Sequence, residues 1–214
     1  MNKIGLTLVL DGANGGGKSG AIVDIARHLR AKGHEVVCTA EPGGTPIGNK
    51  IRVLARDPES TEMSNLTGML LFAAARAQNV AEVIRPALER QCIVLVDRFS
   101  ASSRSFQYAG QGMPLELVTL IDSIARDGVD ADYTLIFDLD PLIGLQRTGA
   151  RSTCDDKFEL TGLEFLNRVR NEYLVQAQET PDRFEVIDAS KTYDQVLEEA
   201  ISAIDGYIAC RLSE

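Results

Sequence analysis

At 214 residues the chain is long enough to bury one hydrophobic core, and we expect a single domain over residues 1–214. Its formal net charge of −9 argues against a nucleic-acid polymer as the main partner, because such binding depends on Lys and Arg side chains that neutralise phosphates. The charge does not exclude a small phosphate ligand, since a few cations and backbone N–H groups suffice to bind one.

The N-terminal segment and the cysteines both predict a cytoplasmic protein. The apolar stretch Leu6–Leu10 is followed at once by glycines, so it is too short to cross a membrane, and no signal-peptide cleavage site follows it. The four cysteines lack the paired spacing of a zinc site or a disulfide framework, which fits reduced thiols in the cytosol. These cysteines are Cys38, Cys92, Cys154 and Cys210.

Apolar runs of strand length alternate with helical patterns along the chain. The predicted strands are Leu6–Leu10, Glu35–Thr39, Ile93–Val96, Tyr133–Leu139 and Phe184–Ile187. The predicted helices are Lys18–Lys32, Ile47–Arg56, Asn65–Gln91, Pro114–Arg126 and Gly162–Gln178. Strands separated by helices form βαβ units, so we expect an α/β protein: a three-layer α/β/α domain with a five-stranded parallel sheet.

The first predicted strand leads into a glycine-rich loop that fits the pattern G-x-x-x-x-G-K-[ST]. The loop reads Gly12-Ala13-Asn14-Gly15-Gly16-Gly17-Lys18-Ser19. It follows a strand and opens a helix, which is the context that a P-loop requires. We expect its backbone N–H groups to surround the phosphates of ATP, Lys18 to reach the β- and γ-phosphates, and the Ser19 hydroxyl to bind Mg²⁺. The sequence therefore predicts a P-loop NTPase fold that binds ATP.

The third predicted strand ends in an acid followed by a cation. Asp97 stands where P-loop proteins usually hold the Mg²⁺ shell. Many ATP-hydrolysing members place a second acid next to it to polarise water, whereas here the neighbour is Arg98. A cation at this position suits the grip of an acceptor phosphate better than the activation of water. The alternative is an Arg98 that only pairs with a surface carboxylate.

Two polar segments interrupt the alternation and are predicted to be loops. Ser100–Gly112 directly follows a strand and is rich in small, hydrogen-bonding residues, and Thr148–Asp156 is rich in Gly, Ser, Thr and Asp with basic flanks. Ligands of parallel α/β sheets bind beyond the carboxyl ends of the strands. We therefore expect a substrate-binding loop and a lid at this edge, the lid covering approximately residues 147–159.

Several further motifs occur along nearly the whole chain in a defined order. They are Thr39-Ala40-Glu41-Pro42-Gly43-Gly44-Thr45, Phe72-Ala73-Ala74-Ala75-Arg76-Ala77-Gln78, Asp97-Arg98-Phe99 with Ser102-Ser103 and Phe106-Gln107, Asp138-Leu139-Asp140-Pro141, Gly144-Leu145, Arg147 with Arg151, and Asp156-Lys157-Phe158-Glu159. In this order and approximate spacing, the chain resembles the thymidylate kinase family. The resemblance implies transfer of the γ-phosphoryl group of ATP to dTMP, with Mg²⁺, in a cytoplasmic homodimer.

The resemblance also implies roles for individual side chains. Phe72 would stack on the pyrimidine ring, and Arg76 would hydrogen-bond a base carbonyl. Taken alone, Phe72 fits a core position and Arg76 a solvated surface cation, although the two share a helix face. The remaining implied substrate contacts are Arg98 on the acceptor phosphate, Ser103 facing the base with Gln107 close by, and Phe106 near the 2′ face of the sugar.

The chain departs from the family pattern at five positions. Asn14 replaces an acid of the phosphate loop, Ala40 replaces an Arg, Phe106 replaces a Tyr, Lys157 replaces an Arg and Gly20 replaces a Thr. Most of these positions lie on the acceptor side. The identity of the acceptor base therefore stays open, and a kinase for dUMP or a 5-substituted pyrimidine deoxynucleotide, or a non-catalytic ATP-binding homologue, are the alternatives.

The predicted mechanism relies on positioning and charge neutralisation. The acceptor phosphate has a second pKa of about 6 and is mostly a dianion at neutral pH, so no general base is needed. We expect Lys18, Mg²⁺ and Arg98 to offset the repulsion between the two nucleotides, together with two lid cations, Arg147 and Arg151. The lid arginines are four residues apart, so on a helix they would face the same way.

Overall fold

The computed structural model describes residues 4–149 and 162–213, and in these residues five strands form one parallel sheet. The strands are β1 (Leu6–Gly12), β2 (Val36–Ala40), β3 (Ile93–Asp97), β4 (Tyr133–Asp138) and β5 (Phe184–Asp188). They lie in the order β2-β3-β1-β4-β5, so β1 is central and all five carboxyl ends meet at one edge. The predicted α/β fold is confirmed.

Helices cover both faces of the sheet. They are α1 (Lys18–Ala31), α2 (Pro46–Arg56), α3 (Asn65–Asn79), α4 (Arg85–Glu89), α5 (Ser100–Ser103), α6 (Leu115–Arg126), α7 (Pro141–Gly149), α8 (Leu163–Glu179) and α9 (Tyr193–Ser213), with π-helical turns at Val80–Ile84 and Arg104–Gly110. Helices α1 and α9 pack on one face, and the turn Val80–Ile84, α4 and α8 pack on the other.

Strand β1 shows why the sheet is sandwiched. Leu6, Leu8 and Leu10 face α1 and α9, whereas Val9 faces the opposite helical layer, because side chains alternate across a strand. All seven residues of β1 are buried. A strand that is covered on both faces reads as a continuous apolar run, which is the pattern that the sequence shows.

Side-chain caps fix where the acceptor-side helices begin. The Thr45 hydroxyl accepts a hydrogen bond from the Gly48 backbone N–H at 2.9 Å and starts α2, with Pro46 in the first turn. The Ser64 hydroxyl accepts from the Thr67 N–H at 3.1 Å and starts α3. These caps set the positions from which both helices project side chains towards the carboxyl edge of the sheet.

Three sequence-based expectations need correction. Segment Ser100–Gly112, predicted to be a loop, is mostly helical, because its small polar residues are buried against α8 instead of facing water. The predicted helix Asn65–Gln91 contains the π-helical turn Val80–Ile84, and neither α7 nor α9 was predicted. Most of the predicted lid lies outside the described residues. Among the helices that the structure describes, none has the length and apolar character needed to span a membrane.

Candidate active site

The phosphate loop joins the central strand to α1 at the carboxyl edge of the sheet. Gly12 has φ 113° and Gly15 has φ 79°, in the left-handed region that glycine tolerates best. A Cβ atom on Gly12 would lie 2.6 Å from the Phe137 carbonyl oxygen, and one on Gly15 would lie 2.8 Å from the Gly144 carbonyl oxygen. Only glycine fits this close approach of backbone segments, so the loop conformation depends on these residues.

Lys18 is buried within the loop. Its Nζ donates to the carbonyl oxygens of Gly12 at 3.1 Å and Ala13 at 2.6 Å. Burial, followed by the charge of Arg98, lowers the pKa of Lys18 to about 7. The loop therefore presents a cation whose charge a bound triphosphate would stabilise.

Ser19 and Asp97 lie side by side where α1 begins and β3 ends. The Ser19 hydroxyl lies 3.4 Å from Oδ2 of Asp97. In the described ranges there is no cluster of three or more His, Cys, Asp or Glu residues that forms a metal site. Mg²⁺ at phosphate sites usually takes one or two carboxylates, phosphate oxygens and waters, so an adjacent hydroxyl and carboxylate fit that ion.

A cavity of about 310 Å³ extends from the phosphate loop towards α2, α3 and α5. It brings together all six residues predicted to bind substrate: Phe72, Arg76, Arg98, Ser103, Phe106 and Gln107. It also contains the loop residues from Asn14 to Ser19 and Asp97. One cavity therefore contains both the phosphate loop and the predicted acceptor residues. Its size falls in the range of small-molecule sites.

Arg98 is held in place by side chains from three other elements. Its Nη2 donates to Oδ1 of Asn14 at 2.6 Å. Its Nη1 lies 3.2 Å from Oδ1 of Asp11, from the Ser102 hydroxyl and from the Tyr173 hydroxyl. Arg98 adopts φ 72°, an uncommon conformation for a residue with a side chain. Its carboxylate partner, Asp11, is fully buried. The alternative interpretation, in which Arg98 only pairs with a surface carboxylate, is therefore wrong.

Asp11 anchors this arrangement from the end of β1. It is fully buried and accepts hydrogen bonds from the hydroxyls of Ser102 and Tyr173, both at 2.7 Å, and from the Phe99 backbone N–H at 3.3 Å. Burial, with the charge of Asp11 as the second cause, raises the pKa of Tyr173 well above its usual range. The phenol therefore stays protonated and donates. Asp11 connects α8, which carries Tyr173, to Arg98.

Arg76 lies at the other end of the cavity in a buried ion-pair network. Its Nε donates to Glu41 at 2.6 Å, and its Nη1 donates to the Ser103 hydroxyl at 2.8 Å and to Asp122. The guanidinium also lies 5.0 Å from the centre of the Phe99 ring. Its side chain is only 4% exposed. Arg76 is therefore not the solvated surface cation that its sequence context alone suggested.

Both carboxylates that pair with Arg76 have further partners. Asn79 donates to Glu41 at 3.2 Å, and Arg126 donates to Asp122 at 2.8 Å. Burial raises the pKa of Glu41, and the charge of Arg76 opposes that shift. Arg76, Arg126, Glu41 and Asp122 thus form one connected ion-pair network beneath the cavity, and Arg126 also pairs with Asp130. Such a network is costly to break at one member, because the remaining charge is left buried.

Aromatic residues line the cavity between the two arginines. Phe106 lies 5.3 Å from the guanidinium carbon of Arg98, and its ring centre is 6.5 Å from that of Tyr173. Phe72 is half-buried and packs beside the same cluster. Phe106 therefore contacts the positioning network of Arg98 as well as the cavity.

Of the two predicted lid arginines, only Arg147 lies in the part of the chain that the structure describes. Arg147 lies in α7 and donates to the carbonyl oxygens of Ala189 at 2.8 Å and Gly15 at 3.3 Å, so the structure places it beside the phosphate loop and not among the residues that line the cavity. Arg151 lies outside the described residues. The roles of both arginines in transfer stay predictions.

Sequence reasoning missed four residues at the site. Asp11 and Tyr173 support Arg98, and Arg52 and Arg56 of α2 line the cavity. Asp11 had a signal, since it is an acid at the end of a run that is otherwise apolar. The two arginines of α2 are four residues apart and project from one helix face. They bring cations to the cavity, whereas Ala40 brings none.

Comparison with known proteins places the chain among kinases. A family model described as thymidylate kinase matches residues 10–200. A thymidylate kinase from Pseudomonas fluorescens is 46% identical over 187 residues, which cover 87% of this chain and 89% of the relative. Thymidylate kinases from Deinococcus radiodurans and Desulfovibrio desulfuricans are 42% and 38% identical, and the matches cover 94% and 95% of this chain and 96% and 97% of those relatives.

Proposed function

The chain belongs to the thymidylate kinase family, and from this premise we propose that it transfers the γ-phosphoryl group of ATP to dTMP, forming ADP and dTDP. One observation carries the proposal beyond family membership. The phosphate loop and Arg98 line a single cavity, so a triphosphate in the loop and a monophosphate at Arg98 would meet inside it. Phosphoryl transfer depends mainly on this kind of positioning and on charge neutralisation.

The hydrogen-bond pattern around Arg76 supports a pyrimidine with a carbonyl at position 4. Nη2 of Arg76 makes no hydrogen bond within the described part of the chain, and Arg76 lines the cavity. The Ser103 hydroxyl accepts from Arg76, so its own proton is available to donate. Both groups are donors and suit the carbonyl oxygen of thymine or uracil better than the amino group of cytosine.

Mg²⁺ belongs to the same proposal, held by Ser19 and Asp97. When bound, it supplies positive charge that offsets the charge of the phosphate oxygens. Arg98 is placed to orient the acceptor phosphate, and Lys18 to bind the donor phosphates. Arg147 and Arg151 are proposed to be cations that act on the donor when the lid closes.

A homodimer is the proposed assembly. Helix α3 packs between α2 and α6, and these three helices expose large apolar side chains: Val53, Leu54, Leu66, Leu70, Leu120 and Ile124. Exposed apolar side chains on three neighbouring helices favour an interaction surface, and a second copy of the chain is the occupant that we propose. Sedimentation of the double variant Val53→Glu, Ile124→Glu should show a monomer. A dimer of unchanged mass would contradict this assignment.

The free thiols of the described cysteines support a cytoplasmic location.

A coupled assay of ADP release across a panel of nucleoside monophosphates tests the function. The proposal predicts product with dTMP and none with dCMP, dAMP or dGMP. Product with dUMP in preference to dTMP would assign the alternative acceptor. No product with any acceptor, from protein that still binds ATP, would contradict the kinase assignment and leave the non-catalytic alternative.

A further inference from the structure

Gly20 and Tyr193 lie next to each other at the end of the phosphate loop. Gly20 stands where the family usually has a Thr, and Tyr193 is the first residue of α9. A Cβ atom on Gly20 would lie 3.1 Å from the Tyr193 hydroxyl oxygen and 3.3 Å from a ring carbon. The absence of a side chain at Gly20 thus makes room for the tyrosine ring against the first turn of α1.

The direction of transfer determines the end of the loop at which the nucleoside of the donor lies. Arg98 contacts Asp11 and Asn14 at the beginning of the loop, whereas Tyr193 lies near its end, beside Gly20 and close to Gly17. In-line transfer requires the γ-phosphate to face the acceptor. The nucleoside of the donor must then leave the loop at the other end, where Gly20 borders the cavity and Tyr193 packs against Gly20.

The ring is both exposed and fixed. Tyr193 is a large apolar side chain that is 42% exposed to solvent. Its hydroxyl donates to Oδ2 of Asp24 at 2.6 Å, and Asp24 also pairs with Arg27 at 2.5 Å. Burial and the hydrogen bond to Asp24 raise the pKa of Tyr193 to about 12, so the phenol keeps its proton at neutral pH. An aromatic face held in this way loses little freedom when a planar group stacks on it.

We propose that Tyr193 is a stacking platform for the purine base of the nucleoside triphosphate donor, and that Gly20 provides the space in which the ring sits. This inference rests on the proposed function, since it concerns the donor of the same reaction. Stacking on an aromatic face uses the π surface that every base has, so the platform favours a purine over a bare triphosphate without distinguishing ATP from GTP.

The test compares the Tyr193→Ala and Tyr193→Phe variants in steady-state kinetics at saturating dTMP. Tyr193→Ala should raise the KM for ATP about fivefold or more, and the KM for GTP in the same proportion. Tyr193→Phe keeps the ring and should change the KM for ATP by no more than about twofold. Inorganic tripolyphosphate, used as a competitive inhibitor, should keep its inhibition constant in both variants. Leu212→Ala, at the far end of α9 with 39% exposure, is the matched control and should behave as the original protein.

A second variant keeps the proposal testable if Tyr193→Ala folds poorly. Gly20→Ala improves helix propensity but places a methyl group against the Tyr193 ring, so it should also raise the KM for ATP. In the Tyr193→Ala background the same change should have no further effect. An unchanged KM for ATP in Tyr193→Ala, or an equal rise in the tripolyphosphate constant, would overturn the platform. Failure of the kinase proposal is distinct, because the original protein would then release no ADP with dTMP.

Discussion

The donor and acceptor halves of the cavity are built in different ways. The donor half is one continuous segment, Gly12–Ser19, whose backbone is proposed to bind phosphate and whose buried cation is Lys18. The acceptor half is assembled from β1, α3, α5, α6 and α8, which contribute charged and hydroxyl side chains. The first depends on glycine conformation and the second on ion pairs between distant segments. The two halves should therefore respond differently to substitution and to pH.

The largest expected effect breaks the ion-pair network under the acceptor half. Arg76→Met removes the cation shared by Glu41 and Asp122, and should lower the free energy of unfolding by about 3–5 kcal/mol, because buried carboxylates lose their partner. Urea denaturation measures this change in the free energy of unfolding. The control, Lys191→Met, breaks an exposed pair with Glu199 and should cost at most about 1 kcal/mol. Equal small losses in both variants would show that the network contributes little.

The next prediction separates acceptor binding from donor binding. Arg98→Met should lower kcat/KM for dTMP about 10²–10³-fold, because the acceptor phosphate loses a preorganised cation. The KM for ATP should change much less, because the loop glycines and Lys18 stay in place and only Asn14 loses its hydrogen bond to Arg98. Arg85→Met, which removes an exposed partner of Asp127, is the control and should leave both constants unchanged. A comparable loss of ATP affinity in Arg98→Met would show that the two halves are not separable.

A smaller effect should follow from loosening Arg98 without removing it. Tyr173→Phe deletes the hydroxyl that donates to Asp11 and should lower kcat/KM for dTMP about tenfold, the value of one hydrogen bond to a charged group. Tyr207→Phe loses a hydrogen bond to the Asp132 carbonyl away from the cavity and serves as the control. A fall in stability with unchanged kcat/KM would assign Tyr173 a structural role in place of a positioning one.

The two halves should also differ in their response to pH. The pKa of Lys18 is lowered to about 7 by burial, so the ammonium form that binds a triphosphate is lost as pH rises through 7. We expect kcat/KM for ATP to fall about fivefold between pH 7 and pH 8. The value for dTMP should stay flat because arginines do not titrate there. Lys18→Arg should flatten the ATP profile at a lower level, and a flat profile in the unaltered protein would contradict the assignment.

The same contrast explains what the sequence could predict. The phosphate loop is a local pattern, so its residues, the strand before it and the helix after it were all predictable. Asp97 and Arg98 end an apolar run and were found in the same way. The network of Arg76 was not predictable, because Glu41 and Asp122 come from segments 35 and 46 residues away along the chain.

The secondary-structure prediction was wrong where polar residues were interpreted as a sign of a solvent-exposed loop. Segment Ser100–Gly112 resembled a solvated loop, yet its backbone is mostly helical and Ser103 and Ser105 are buried, because Arg76 and Gln176 donate hydrogen bonds to their hydroxyls. Helix α9 follows the last predicted strand and carries the apolar stripe that covers β1 and β4. The sequence pattern did not indicate the proposed role of Tyr193, because that role depends on the space that Gly20 leaves for the ring.

The most direct test of the central claim is phosphorus NMR of the protein with ATP, dTMP and Mg²⁺. The account predicts that the γ-phosphate signal of ATP disappears as the β-phosphate signal of dTDP grows in equal amount. Growth of orthophosphate and ADP without dTDP would show transfer to water, and would contradict a cavity in which the phosphate loop faces an acceptor phosphate held by Arg98.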